Sequence, residues 1–132
     1  MGEATIKRGA RFYVDDQGII RGREADGASF GLSDAQEAIE VIRELAAGRK
    51  CGLVVDISDL RTMTREARAY FTHKDHEEFL YAVALVVRSL VSRAIGNFFL
   101  GLNKPAVPTR LFTDDEDALA WLRTFIPKGE RP

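Results

Sequence analysis

Apolar and polar residues first alternate, with a period of two, over residues 10–14, where Phe12 and Val14 are interleaved with Arg11 and Tyr13. That period predicts a strand with one face toward a core. Asp15-Asp16-Gln17-Gly18 is turn chemistry, and Ile19-Ile20-Arg21 begins a return strand. Asp26-Gly27 is a second hairpin signal, leading to a short strand over 28–31, so the chain is expected to open as a small β-meander. Ser33, with Gln36 as capping-box partner, then opens a first helix. Ala35, Ala38, Ile39, Ile42 and Leu45 form its apolar stripe, and Gly48 is its stop.

The run 51–57 (CGLVVDI) is continuously apolar up to its aspartate, the signature of a strand covered on both faces. Thr64 caps a second helix reaching about 70–80, with a break placed near His73. Residues 82–87 (AVALVV) predict another buried strand, and Ser89 caps a third helix ending near Leu102. On a wheel of about 100° per residue, Leu90, Val91, Ala94, Ile95, Phe98 and Leu102 share an arc that the pattern assigns to the core. Phe99 falls on the opposite side, where it is either exposed, to meet a partner, a second subunit or an apolar ligand, or packed under a neighbouring loop. After the stiff segment with Pro105 and Pro108, residues 109–112 read as the last strand. Thr113 and Glu116 then cap a final helix whose apolar face carries Leu119, Trp121, Leu122 and Phe125. The order β-β-β-α-β-α-β-α-β-α predicts an α/β domain over residues 10–126, between flexible termini at 1–9 and 127–132. Its mixed sheet has about five or six strands with a parallel centre, and four helices pack against it.

Composition narrows the function classes. The chain has 132 residues, 45% of them hydrophobic and 30% charged, which fits one ordinary globular domain. A net charge of -1 supplies no general basic field for nucleic acid, so no nucleic-acid partner is expected. Cys51 is the one cysteine, which excludes an intrachain disulfide and fits a reducing cytoplasm. The polar N-terminal stretch predicts no secretory signal, and no stretch approaches the roughly 20 apolar residues of a membrane span.

The candidate chemistry is sparse. Asp56 and Ser58 lie at the end of the buried strand, where α/β sheets favour ligands. An aspartate raised by burial is a candidate general base, but one that hydrogen-bonds the following turn fits as well. Arg61, Arg65 and Arg68 lie four and three residues apart around Thr64, at the start of the second helix. They are a candidate ligand or partner surface with Phe99, though Thr64 also fits a plain cap and the arginines a solvated face. His73 and His76 lack the HExxH spacing and convergent partners of a zinc site, and Asp114–Asp117 is what a helix dipole prefers in a first turn. No metal and no cofactor is expected.

The run Leu53-Val54-Val55-Asp56-Ile57-Ser58-Asp59-Leu60, followed by Met63 and a helix, resembles the STAS domain, the SpoIIAA-like fold of bacterial anti-sigma-factor antagonists. Residues 82–122, with their asparagine-aromatic pair and terminal Ala-Trp-Leu, look like uncharacterised bacterial STAS-like, SEC14-related proteins. Together the resemblance spans residues 10–125. In antagonists of the phosphorylated kind a serine near the start of this helix is the switch. Arg65 stands at about that position here, which leaves Thr64 or Thr62 as candidates for phosphorylation. The resemblance implies a cytoplasmic, non-enzymatic regulatory or protein-interaction module with an unknown protein partner. The alternatives are a domain for an apolar small molecule or lipid, motivated by the third helix and the SEC14-related likeness, and an enzyme of unknown class. A homodimer through the third helix or a sheet edge is also a candidate assembly.

Overall fold

In a computed structural model, which describes residues 3–5 (backbone only), 10–24, 29–102 and 104–126, the apolar run after Lys50 forms β5 (Cys51–Asp56), buried at every position. It lies between β3 (Ile20–Arg23) and β7 (Leu80–Val86), parallel to both. β2 (Arg11–Val14) runs antiparallel to β3, and β1 (Glu3–Thr5) antiparallel to β2. β8 (Thr109–Phe112) pairs parallel with β7. The result is a six-stranded mixed sheet in the order β1-β2-β3-β5-β7-β8. The helices are α1 (Leu32–Ala46), α2 (Arg65–Phe71), α3 (Leu90–Leu102) and α4 (Asp115–Arg123), with a 3₁₀ turn over Lys74–Glu78. This is the expected α/β class, with a parallel half built by strand–helix alternation.

The period of two divides the sheet into two cores. Phe12, Val14, Ile20, Leu53 and Val55 point to one side, against Ala35, Ala38, Ile39 and Ile42 of α1, Ala67 of α2 and Ile95 of α3. Ile19, Val54, Ala82, Ala84 and Val86 meet Ala118 and Leu122 of α4 on the other. On this second side Trp121 packs its ring against Phe112 and Phe125.

Several elements differ from the sequence reading. Residues 3–5, expected to be a flexible terminus, form β1, so the meander is β1-β2-β3. Residues 1–2, 6–9 and 127–132 lie outside the described residues, as does the Asp26-Gly27 turn. The third expected strand is β4 (Ser29–Phe30), which leaves the main sheet and pairs in parallel with β6 (Thr62–Met63). α1 is capped at Gly31 rather than Ser33: the Asp34 carboxylate accepts the Gly31 N–H at 2.9 Å, satisfying a free donor from inside the first turn. α4 is capped by Asp114, which accepts from the Asp117 N–H at 2.8 Å, in place of Thr113. Thr64 does cap α2, accepting from the Ala67 N–H at 3.2 Å.

Two features of this packing have measurable consequences. Phe12 and Gly22 are cross-strand partners, and the Phe12 ring lies where a side chain at Gly22 would stand. Gly22→Ala is therefore expected to destabilise by about 1–3 kcal/mol in urea unfolding, and Phe12→Leu to relieve part of the loss. His76 is buried among Tyr70 and Phe79, with Nδ1 3.4 Å from the Phe71 carbonyl, and burial lowers its pKa below the ordinary 6.5. The unfolded chain thus takes up the proton more readily, so the His76 contribution is complete above about pH 6.5 and is lost as pH falls from there through the folded pKa. Urea midpoints measured between about pH 7.5 and 5.5 are expected to fall in the wild type and to fall less steeply in His76→Gln.

Candidate functional site

Three of the strands that run in parallel, β5, β7 and β8, release their carboxyl ends at the same edge of the domain. Asp56 closes β5 there and is buried. One of its oxygens accepts the Ser58 N–H at 2.9 Å and the other pairs with the Arg88 guanidinium. The Ser58 hydroxyl accepts the Arg88 N–H at 3.0 Å, and its carbonyl lies 2.9 Å from the Ser89 hydroxyl. Ser89 in turn accepts the Ser92 N–H at 3.0 Å, which caps α3. Asp56 and Ser58 are therefore joined, as their positions suggested, in a polar strap that ties the loop after β5 to the start of α3. Arg88, which the sequence reading passed over, is its third member.

The remaining candidates separate into two sets. Arg61, Thr62, Thr64 and Arg65 are exposed along β6 and the start of α2. Arg68 is half-buried: it donates to the Met63 carbonyl at 2.8 Å, and its guanidinium lies 4.8 Å from the centroid of the Phe98 ring. That contact couples α2 to α3 and has the geometry of a cation–π pair. Phe99 does not join this surface. It is only 5% exposed and points inward, contrary to the wheel.

The inversion has a physical cause. α3 rests on the sheet through Ser92, Gly96 and Phe99, at spacings of four and three. Ser92 is buried with its hydroxyl satisfied by Ser89. Gly96 has no side chain, and a Cβ there would stand 2.9 Å from Leu111 Cδ2, so the backbone approaches β8 where a larger residue would hold it away. The larger side chains are left outside: Leu90 is 83% exposed, Val91 53%, Phe98 53% and Leu102 64%. The wheel of large apolar residues did not predict this orientation, because the contact with the sheet is made through Ser92 and Gly96, which that wheel leaves out.

Cavities lie on both sides of the sheet. A small apolar one, about 90 Å³, lies beneath α1 and α3, lined by Phe12, Ile39, Leu53, Phe99 and the buried polar residues Glu24 and His76. A larger open groove of about 400 Å³ lies on the opposite side, where Arg11 and Tyr13 of β2 and Arg21 and Arg23 of β3 face out. Arg88, Asp56 and Asp115 close its end. Arg23 has its pKa raised, first by its hydrogen bond to Asp59 and then by the charges of Asp56, Asp59 and Asp115. The signal for this groove was present in the sequence as the outward half of two alternating strands.

His73 and His76 do not converge. The Nδ1 atom of His73 accepts the Asp75 N–H at 3.2 Å, and the two rings lie 6.2 Å apart between centroids. Among the described residues no cluster of three or more histidine, cysteine or acidic side chains is arranged to hold a metal ion, and no helix is long and apolar enough to cross a membrane.

Comparison with solved structures places this architecture. The chain is similar to an uncharacterised protein of the DUF3478 family from Shewanella loihica PV-4, which has a SpoIIAA-like fold. The two are 16% identical, with 92% of this chain and 99% of that one covered and a TM-score of 0.61. At that identity the likeness shows the fold: the domain is SpoIIAA-like, hence STAS-like. A protein of unknown function from Arthrobacter sp. FB24 is 29% identical, over 92% of this chain and 97% of its own, with a TM-score of 0.35. No curated protein matches the chain. A family model matches residues 12–126, nearly all of the domain, and the chain belongs to that family, described as Domain of unknown function (DUF7793).

Proposed function

We propose that the chain is a non-enzymatic, STAS-like regulatory or interaction module that meets a protein partner through the outward face of α3 and the arginines beside it. The observation that carries this reading is the row Leu90, Val91, Phe98 and Leu102, four large apolar side chains left facing solvent on one helix. Apolar residues exposed singly are ordinary, but a contiguous set on one element is what a docking surface requires. Burying each such side chain is worth about 1.5–3 kcal/mol. Arg68 stacks on Phe98 within the row, Arg65 stands exposed one turn before Arg68 on α2, and Arg93 is exposed on α3 itself. α3 itself contains no acidic residue, so two copies meeting through it would set arginine against arginine with no acid on the helix to answer them. Complementarity therefore favours a different protein, presenting an apolar ridge fringed by carboxylates, over a second copy.

The test begins with capture from the source cells and ends with the purified captured protein. Its affinity is expected to fall at least about tenfold for Phe98→Glu and for Arg65→Glu, and to weaken with salt. Binding that is equal in these variants, or a mass in solution that is doubled in the wild type and single in Leu102→Glu, would overturn the reading; the second result would assign the face to a homodimer.

An apolar small-molecule role is supported by the cavity that Phe99 lines, but its size restricts it. About 90 Å³ is well below the 300–1,000 Å³ usual for ligand sites and smaller than an engineered cavity of about 150 Å³ that takes benzene. A lipid chain does not fit unless α3 moves.

A further inference from the structure

The 3₁₀ turn between α2 and β7 carries a group that neither the partner surface nor the strap uses, the His76 imidazole. The turn pins this residue at both backbone ends. Its N–H donates to the His73 carbonyl at 3.2 Å, and its carbonyl accepts the Phe79 N–H at 3.2 Å. Only 4% of the residue is exposed, and it lines the cavity beneath α1 and α3 together with Phe71, Leu80 and Phe99.

Which nitrogen carries the proton follows from the ring's hydrogen bond. Nδ1 lies 3.4 Å from the Phe71 carbonyl, an atom that only accepts, so Nδ1 holds the proton and Nε2 is left with a lone pair. Burial lowers the pKa, which keeps the ring in this neutral form near about pH 7. Among the described residues nothing donates to Nε2. An acceptor left without a donor inside the domain costs stability, which a leucine or phenylalanine on the same apolar wall would not.

The cavity sets the rest of the requirement. The other polar side chains on its wall are Glu24 and Thr109, and the Thr109 hydroxyl donates to the Val107 carbonyl at 2.9 Å. The remaining wall is aliphatic and aromatic, with Leu53, Ile95 and Phe99 among it, so most of a guest's surface has to be apolar. About 90 Å³ is less than the roughly 150 Å³ in which benzene is held, so the guest is smaller than a six-membered ring. The bare lone pair requires a hydrogen-bond donor from it.

We propose that the cavity binds a small neutral aliphatic alcohol of about four carbons, its chain against Leu53, Ile95 and Phe99 and its hydroxyl donating to His76 Nε2. The site lies inside the domain, on the other side of α3 from the partner surface, so either can fail while the other stands. NMR titrations of the whole chain with 2-butanol and with 2-butanone, read at the methyl groups and the imidazole nitrogens, test it. The two probes share a carbon skeleton, but the ketone has no donor. Saturable shifts at Leu53, Ile95 and Phe99 are expected with 2-butanol, and the His76 Nε2 resonance is expected to move upfield as it accepts. Affinity for 2-butanone is expected to be about tenfold weaker. His76→Phe is expected to abolish that preference, and Phe98→Glu, on the outer face of α3, to leave it unchanged. If His76→Phe does not fold, the wild-type Nε2 resonance still decides. Shifts that do not saturate, equal affinity for the two probes, or an unmoved Nε2 resonance would overturn the proposal. So would a preference for the alcohol that survives in His76→Phe, or a free protein in which Nε2 rather than Nδ1 carries the proton.

Discussion

β5 carries no polar side chain before Asp56, and an apolar strand must be removed from water on both of its faces. The remainder of the architecture follows from how that demand is met. Each successive crossover, through α1, α2 and α3, lands on the same side, as right-handed connections do when a parallel sheet grows in one direction. The other side is left to α4, a helix of nine residues. One helix is about 10–12 Å across whereas six strands span about 24 Å, and its contacts fall on β5, β7 and β8, leaving β2 and β3 largely bare. The apolar central strand and the arginine-lined groove are thus two outcomes of one layered arrangement.

The same layering explains the outer surface of α3. By the time the chain reaches α3, much of the core on that side is already filled from α1, with Ala35, Ala38, Ile39 and Ile42 against the sheet. What α3 contributes inward is Ser92 and Gly96 against the sheet, with Ile95 and Phe99 lining the cavity. The strap from Asp56 through Ser58 and Arg88 to Ser89 then sets where the helix begins and so which face turns in. The larger side chains remain outside and are joined to α2 by the stacking of Arg68 on Phe98.

Much of the fold was legible in the residues, and the reasons differ by element. β5 and β8 were readable because length, flanking residues and apolar content agree, and α1 because its stripe is interrupted by charge on every turn. The caps slipped by one or two positions where several capping residues sit together, as in Thr113-Asp114 and Gly31-Leu32-Ser33-Asp34. β4 and β6, two residues each, have no period to detect, and their pairing is a tertiary event. Phe99 was left outside the arc because that arc was drawn through most of the apolar residues; Arg93 and Asn97, four apart and exposed, form a polar stripe that places Ile95 and Phe99 on the inward side. Among the candidates, Asp56 and Ser58 were singled out from their place at a strand end, while Arg88 was not, because only the fold brings positions 56 and 88 together.

The central claim is that α3 rests on Ser92, Gly96 and Phe99 and turns Leu90, Val91, Phe98 and Leu102 to solvent. Solvent paramagnetic relaxation of the Phe98 and Phe99 ring protons, with a neutral soluble gadolinium chelate, measures this directly. Strong enhancement at Phe98 and protection at Phe99 is the predicted result. Protection at Phe98 with enhancement at Phe99 would contradict it, and would restore the orientation that hydrophobicity alone assigns to the helix.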